Sequence, residues 1–244
     1  MHIIIQGAGR GIGLALAHQA NAAGATKLYL VARNPANSDG YQQLPPSDKV
    51  KWFTADFTKP DTISACGAEI CAKAPHIDRL ISTAGLLHDA AIQPEKAIHT
   101  LSPQAMMTVY QVNAMGPALF VQALWPQLRS SPGVKIAALS ARVGSIGDNR
   151  LGGWYSYRAS KAALNQYIRS ISIELARYNP QSCVVSLHPG TVDTALSKPF
   201  QSKVDASQLQ TPQETARRLW TVLDHLGGQD SGGFFAYDGT PIRF

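Results

Sequence analysis

The sequence predicts an α/β fold: one doubly wound domain over residues 1–244, with a sheet of about seven parallel strands and helices on both faces. Three observations lead there. Short apolar runs of strand length alternate with longer segments of helical period, and most of the runs are continuously apolar, as strands buried on both faces require. A glycine cluster follows the first run without a break.

Residues 3–6 (Ile-Ile-Ile-Gln) read as the first strand, and Gly7 to Gly13 as the turn into a helix over 11–23. A second strand over 27–32 runs into a polar, Pro-rich loop at 34–49 with room for an extra helix. A strand at 50–54, a helix at 61–74 and a strand at 79–83 follow. Residues 97–128 contain no Asp, Glu, Lys or Arg, but Gln104, Gln111, Asn113, Pro117, Gln122 and Pro126 fit a helix buried in protein, over 103–128, better than a membrane span. That helix has no evident polar face, so it is expected to bury its outer side against a second copy of the chain, as a homodimer or homotetramer. Strands at 134–140, 183–188 and 234–236 alternate with helices at 155–178 and 212–226, and the polar segment 197–211 is expected to form a lid.

Composition excludes several classes. The 244 residues are 45% hydrophobic, and 22 basic against 16 acidic residues leave a net charge of +6, which rules out disorder, collagen and small disulfide scaffolds. The basic residues are dispersed, with Arg217-Arg218 the one adjacent pair, so no nucleic-acid partner is expected. Cys66, Cys71 and Cys183 form neither a CxxC pair nor a zinc spacing; no metal is expected, and the setting read from them is reducing and cytoplasmic. No secretion signal is expected, since the chain passes from Met1 straight into Ile3, Ile4 and Ile5 with no basic segment before them.

Ligands of an open parallel sheet bind beyond the carboxyl ends of its strands. The residues placed there are Gly7, Arg33, Asp56, Ala84-Gly85, Ser140 and Pro189-Gly190. Gly7-Ala8-Gly9-Arg10-Gly11-Ile12-Gly13 can bring backbone N–H groups and a helix N-terminus against a pyrophosphate. About twenty residues past that turn, an enzyme using NAD would carry an acidic residue for the ribose 2′-hydroxyl. This chain has Arg33, which with Arg10 suits a 2′-phosphate, so the expected cofactor is NADP(H). Asp56 is a candidate acceptor for the adenine amino group, beside Phe57.

Tyr157 and Lys161 stand four residues apart on one helix face, where an ammonium would favour the phenolate and tune a proton donor to a carbonyl oxygen. Tyr155 has Ala159 in the corresponding place and is set aside. Ser140 ends a strand at the same edge and can hold the substrate oxygen, with Ser145 its rival. Asn113 lies four residues before Pro117, which has no N–H to give its carbonyl, leaving that oxygen free to hold a water. Leu86, His88, Arg142 and Trp154 are candidates for the pocket wall.

These motifs together resemble the short-chain dehydrogenase/reductase family over essentially the whole chain, nearest its sniffer-type carbonyl reductases and C-factor-like proteins. The resemblance implies a Rossmann-type fold, a glycine turn at Gly7, Gly11 and Gly13, and a catalytic tetrad of Asn113, Ser140, Tyr157 and Lys161. It also implies cofactor contacts from Lys161 to the nicotinamide ribose and from Val192 and Thr194 after the Pro189-Gly190 turn. The activity implied is NADPH-dependent reduction of a small aldehyde or ketone, with a signalling protein of C-factor type as the alternative. The chain departs from the family in reading Ser82-Thr83-Ala84-Gly85, without the amide side chains that usually support this turn. Ser140 also stands farther from Tyr157 than is usual, so a short insertion must loop out between them, and the segment after Thr194 is short.

Overall fold

The computed structural model describes residues 1–244, the side chain of Lys203 excepted. Its main sheet is built from β1 (His2–Gln6), β2 (Lys27–Ala32), β3 (Val50–Thr54), β4 (Arg79–Ser82), β5 (Lys135–Leu139), β6 (Cys183–His188) and, last in the chain, β9 (Phe234–Ala236). All are parallel, in the order β3-β2-β1-β4-β5-β6-β9. The chain steps outward from β1 to β3 and then returns to lay β4 on the other side of β1. The crevice for a ligand therefore opens between the carboxyl ends of β1 and β4. Two further short strands, β7 (Thr191–Val192) and β8 (Leu209–Gln210), pair with each other beside the main sheet. They bracket the expected lid, which holds two 3-10 turns.

Helices cover both faces. On one side α1 (Gly11–Ala22) and α8 (Pro212–His225) pack on Ile3, Ile5, Leu28, Leu30 and Val185. On the other, α3 (Pro60–Lys73), α5 (Gly116–Ala123) and α7 (Tyr155–Ala176) pack on Ile4, Tyr29, Val31, Ile136 and Val184. Ile3, Ile4 and Ile5 are fully buried, each worth roughly 1.5–3 kcal/mol of apolar burial, which explains why the run is unbroken. The loop after β2 does contain an extra helix, α2 (Asp39–Gln43), capped by Ser38.

The expected helix at 103–128 is broken. It divides into α4 (Pro103–Tyr110), a π-helical turn (Gln111–Met115), α5 and α6 (Trp125–Ser130). Pro117 and Pro126 lack the N–H that would continue the ladder, and in the π turn the Gly116 N–H reaches back to the Gln111 carbonyl. Gly116 is pressed against Phe57, whose Cδ2 would lie 2.3 Å from a Cβ. On the outer side, Met106 and Met107 of α4 are exposed.

Candidate active site

At the carboxyl end of β1 the chain turns sharply. Gly7 adopts φ +86°, and a Cβ there would stand 2.3 Å from Thr83 Oγ1; a Cβ on Gly13 would stand 2.1 Å from the Gly7 carbonyl oxygen. Only glycine fits this doubled-back path. The N-cap residue of α1, Arg10, makes no side-chain cap, and no acidic residue lies in the first turn. The first N–H groups of α1, at Gly11, Ile12 and Gly13, thus stand ready for an anion. Gly9 is held from behind by the Gly40 N–H, 2.9 Å from its carbonyl. Arg10 and Arg33 are exposed, and neither makes an ion pair among the described residues. A glycine cradle with uncapped N–H groups and two unpaired guanidinium groups fits the phosphates of a dinucleotide.

Sequence reasoning missed Gln6. Its buried Oε1 accepts from Ser82 Oγ (2.9 Å) and from the Ala84 N–H (3.0 Å), while Thr83 Oγ1 donates to the Gln6 carbonyl (2.8 Å). The amide support that Ser82-Thr83-Ala84-Gly85 appeared to lack in sequence comes from the neighbouring strand. A polar side chain closing an otherwise apolar run was the one available signal.

Other candidates divide. Asp56 uses Oδ1 to accept from the N–H and hydroxyl of Thr58 (3.0 and 2.8 Å), which shapes the entry to α3. The Phe57 ring is turned into the core beside Phe120, so what it can offer a ligand is its backbone. Leu196 lies over Gly85, 3.4 Å from where a Cβ would be, and Thr194 Cγ2 lies over Gly11 at 3.5 Å, so the segment after β7 spans the crevice. Gly190 has φ +79° with Gln210 and Tyr237 against it, and the Val192 carbonyl accepts from Ser197 Oγ (2.5 Å).

Asn113, Ser140, Tyr157 and Lys161 are all buried. Asn113 sits in the π turn and exchanges two hydrogen bonds with the Leu86 backbone; its Nδ2 also donates to Ser160 Oγ (3.0 Å), which donates to the Tyr157 carbonyl (2.8 Å). Lys161 Nζ donates to the Leu139 carbonyl (2.7 Å), immediately before Ser140, and lies 5.8 Å from the Tyr157 ring centroid. Ser140 Oγ has no partner among the described residues. Ser145, its rival, is also buried and accepts from the Asp148 N–H (3.2 Å). Tyr155 is 38% exposed.

Burial governs the ionisation of the pair. It pushes the Tyr157 phenol up to about 12 and the Lys161 amine down to about 7. The phenol therefore moves opposite to the sequence expectation, because burial strips it of water and disfavours the phenolate. Burial also holds His188 down to about 4, with Arg142 a smaller cause, and His188 Nδ1 accepts from the Arg142 N–H (3.3 Å).

The insertion between Ser140 and Tyr157 folds back on α7. Gly144 packs on Lys161, whose Cβ would be 2.8 Å from an added one. Arg158 donates from Nε to the carbonyls of Gly152 (3.2 Å) and Gly153 (3.0 Å), and from Nη1 to that of Val143 (3.3 Å). Trp154 then enters α7 in the left-handed region (φ 48°), which costs an L-residue about 1–2 kcal/mol. Its indole meets Tyr157 (6.2 Å) and Phe200 (5.0 Å) edge-on, and Phe200 also meets His88 (5.6 Å). Trp154, His88 and Phe200 form an aromatic wall beside the Tyr157 ring; Phe200 was not foreseen, since its lid segment carries no motif.

A profile of the short chain dehydrogenase family matches residues 1–205. The chain belongs to the short-chain dehydrogenase family. Among solved structures, the NADPH-bound carbonyl reductase from chicken fatty liver superposes with a TM-score of 0.86 at 26% identity, covering 100% of this chain and 94% of that one. The carbonyl reductase Sniffer of Drosophila melanogaster does so with a TM-score of 0.86 at 26% identity, over 100% and 99%. C-signal of Myxococcus xanthus is 39% identical over 138 residues, which is 56% of this chain and 77% of that protein. This short-chain dehydrogenase thus shares its whole fold with carbonyl reductases. Among the described residues no helix is long and apolar enough to cross a membrane.

Proposed function

We propose that this short-chain dehydrogenase reduces an aldehyde or ketone to the alcohol with NADPH. One observation carries the reading: Lys161 Nζ is buried 2.7 Å from the Leu139 carbonyl, on the helix face of Tyr157, and next to it Ser140 Oγ is buried without a partner among the described residues. The chemistry a reduced nicotinamide would supply, when bound in the crevice, is a hydride for the carbonyl carbon. Ser140 Oγ donates to the substrate oxygen and orients it. Tyr157, pushed up to about 12, is protonated at neutral pH and gives its hydroxyl proton to that oxygen as charge develops there. Lys161, held down to about 7, is partly protonated near neutrality and returns a proton to the phenol side. Asn113 anchors this relay by fixing the turn of α7 that carries Ser160 and Tyr157.

In the same reading the turn from Gly7 through Gly9, Gly11 and Ile12 to Gly13 holds the pyrophosphate, and Arg10 and Arg33 hold the 2′-phosphate. Asp56 and the Phe57 backbone face the adenine; Ala84, Gly85, Pro189, Gly190, Val192 and Thr194 line the remaining length of the cofactor. The NADPH in the chicken carbonyl reductase supports this choice. A second copy of the chain covers α4 and α7 around the exposed Met106, Met107 and Ile173. The test is loss of NADPH absorbance across a panel of aldehydes and ketones, run beside titration of NADPH and NADH. Consumption with at least one carbonyl, and tighter binding of NADPH, are expected. The similarity to C-signal favours a second reading, a cofactor-binding signalling protein, and binding of NADPH with no consumption across the panel would select it.

A further inference from the structure

The helix that carries Tyr157 and Lys161 begins without a cap of its own. Trp154 holds the N-cap position of α7, contributes no side-chain capping bond, and no acidic residue stands in the first turn. The acceptor comes from 61 residues upstream. Glu95, 5% exposed, takes the Ser156 N–H at Oε2 (3.2 Å) and the Ser156 hydroxyl at Oε1, and its backbone carbonyl takes the Trp154 N–H (2.5 Å). No cation pairs with this carboxylate among the described residues. Its desolvation is offset by these donors and by the positive end of the 22-residue helix.

We infer that Glu95 is a positioning residue for the proton donor, a role that rests on the reading of Tyr157 given above. Ser156 directly precedes Tyr157, so the carboxylate that fixes Ser156 fixes the rotation of the first turn and with it the direction of the phenol. The cap is supplied from a distance because the local position is taken: the indole of Trp154 forms the wall against Tyr157 and Phe200, and a Ser or Asp there would cap the helix but leave the wall open. A left-handed Trp persists only where its surroundings over-determine it. The Glu95 carbonyl on its N–H and the Arg158 guanidinium on Gly152 and Gly153 do so.

Glu95→Ala and Glu95→Gln are compared with wild type for kcat of carbonyl reduction, NADPH Kd and amide hydrogen exchange over residues 152–158. Glu95→Ala is expected to lower kcat by about 10–100-fold, the scale of a displaced catalytic group. NADPH Kd stays within about twofold, and exchange accelerates in the first turn of α7. Glu95→Gln keeps an acceptor for the Ser156 N–H and can meet the hydroxyl with its amide, so it restores kcat to within about threefold. Wild-type kcat in Glu95→Ala, or a Glu95→Gln as slow as Glu95→Ala, overturns the proposal. Should the alanine variant not fold, Ser156→Ala decides: slower turnover with faster exchange supports the cap, and wild-type values of both overturn it. A wild type that binds NADPH but reduces no carbonyl sinks the proposed function, and the exchange measurements still judge the cap.

Discussion

Asn113 and Leu86 hold each other by two hydrogen bonds of opposite sense: the Leu86 N–H donates to Asn113 Oδ1 (2.7 Å), and Asn113 Nδ2 donates to the Leu86 carbonyl (2.9 Å). With its third bond, to Ser160 Oγ, one amide in the π turn joins the loop after β4 to the helix of Tyr157. Asn113→Ala strands these partners, and each unsatisfied buried group costs about 1–3 kcal/mol. A loss of about 2–4 kcal/mol in urea unfolding is expected, and a loss under about 0.5 kcal/mol would deny the amide this role. Asn113→Asp should suffer comparably, since a carboxylate accepts from Leu86 but cannot donate to its carbonyl.

Tyr157→Phe removes one oxygen from a ring otherwise packed against Trp154. The ring and its wall remain, so NADPH affinity should stay nearly intact while kcat falls by several orders of magnitude. Equal losses in kcat and kcat/KM are the mark of a bond made in the transition state. A Phe variant with substantial turnover would move the proton donation to another group.

Arg33 is exposed and unpaired among the described residues, so its replacement disturbs little packing. Arg33→Asp should raise NADPH Kd and lower that of NADH, inverting the preference. The aspartate accepts from a ribose 2′-hydroxyl and repels a 2′-phosphate. An unchanged ratio of the two dissociation constants would place the 2′-phosphate elsewhere.

What could be read in the sequence was what short-range pattern specifies. The apolar runs became strands to within a residue or so because burial on both faces leaves no choice of composition. The glycine turn was legible because two backbones and Thr83 leave no room for a Cβ, and Tyr157 and Lys161 because i, i+4 spacing fixes a helix face. Gln6, Glu95 and Phe200 were not legible. Their partners lie 76–78, 61 and 46 or more residues away, and no local pattern announces a hydrogen bond or ring contact across such a gap. The break at 111–116 was half visible: Pro117 withholds an N–H from the ladder, but that Phe57, from the loop after β3, packs against Gly116 beside the π turn is written nowhere in the local pattern.

Stability should rise with pH in two separate windows. His188 is held down to about 4 in the folded chain against an ordinary 6.5, so between those values the unfolded chain binds more protons, and acidification from neutrality lowers stability. The full window corresponds to about 3 kcal/mol. Lys161 behaves alike at higher pH: held down to about 7 against an ordinary 10.5, it costs stability near neutrality that is regained as the unfolded lysine deprotonates. Urea midpoints measured across pH should therefore climb from about 4 to 6.5 and again above 7. His188→Gln should flatten the first climb and leave the second, and Lys161→Met the reverse. An acid limb that survives in His188→Gln would mean that the imidazole, though half-buried beside Arg142, is not what acid protonates first.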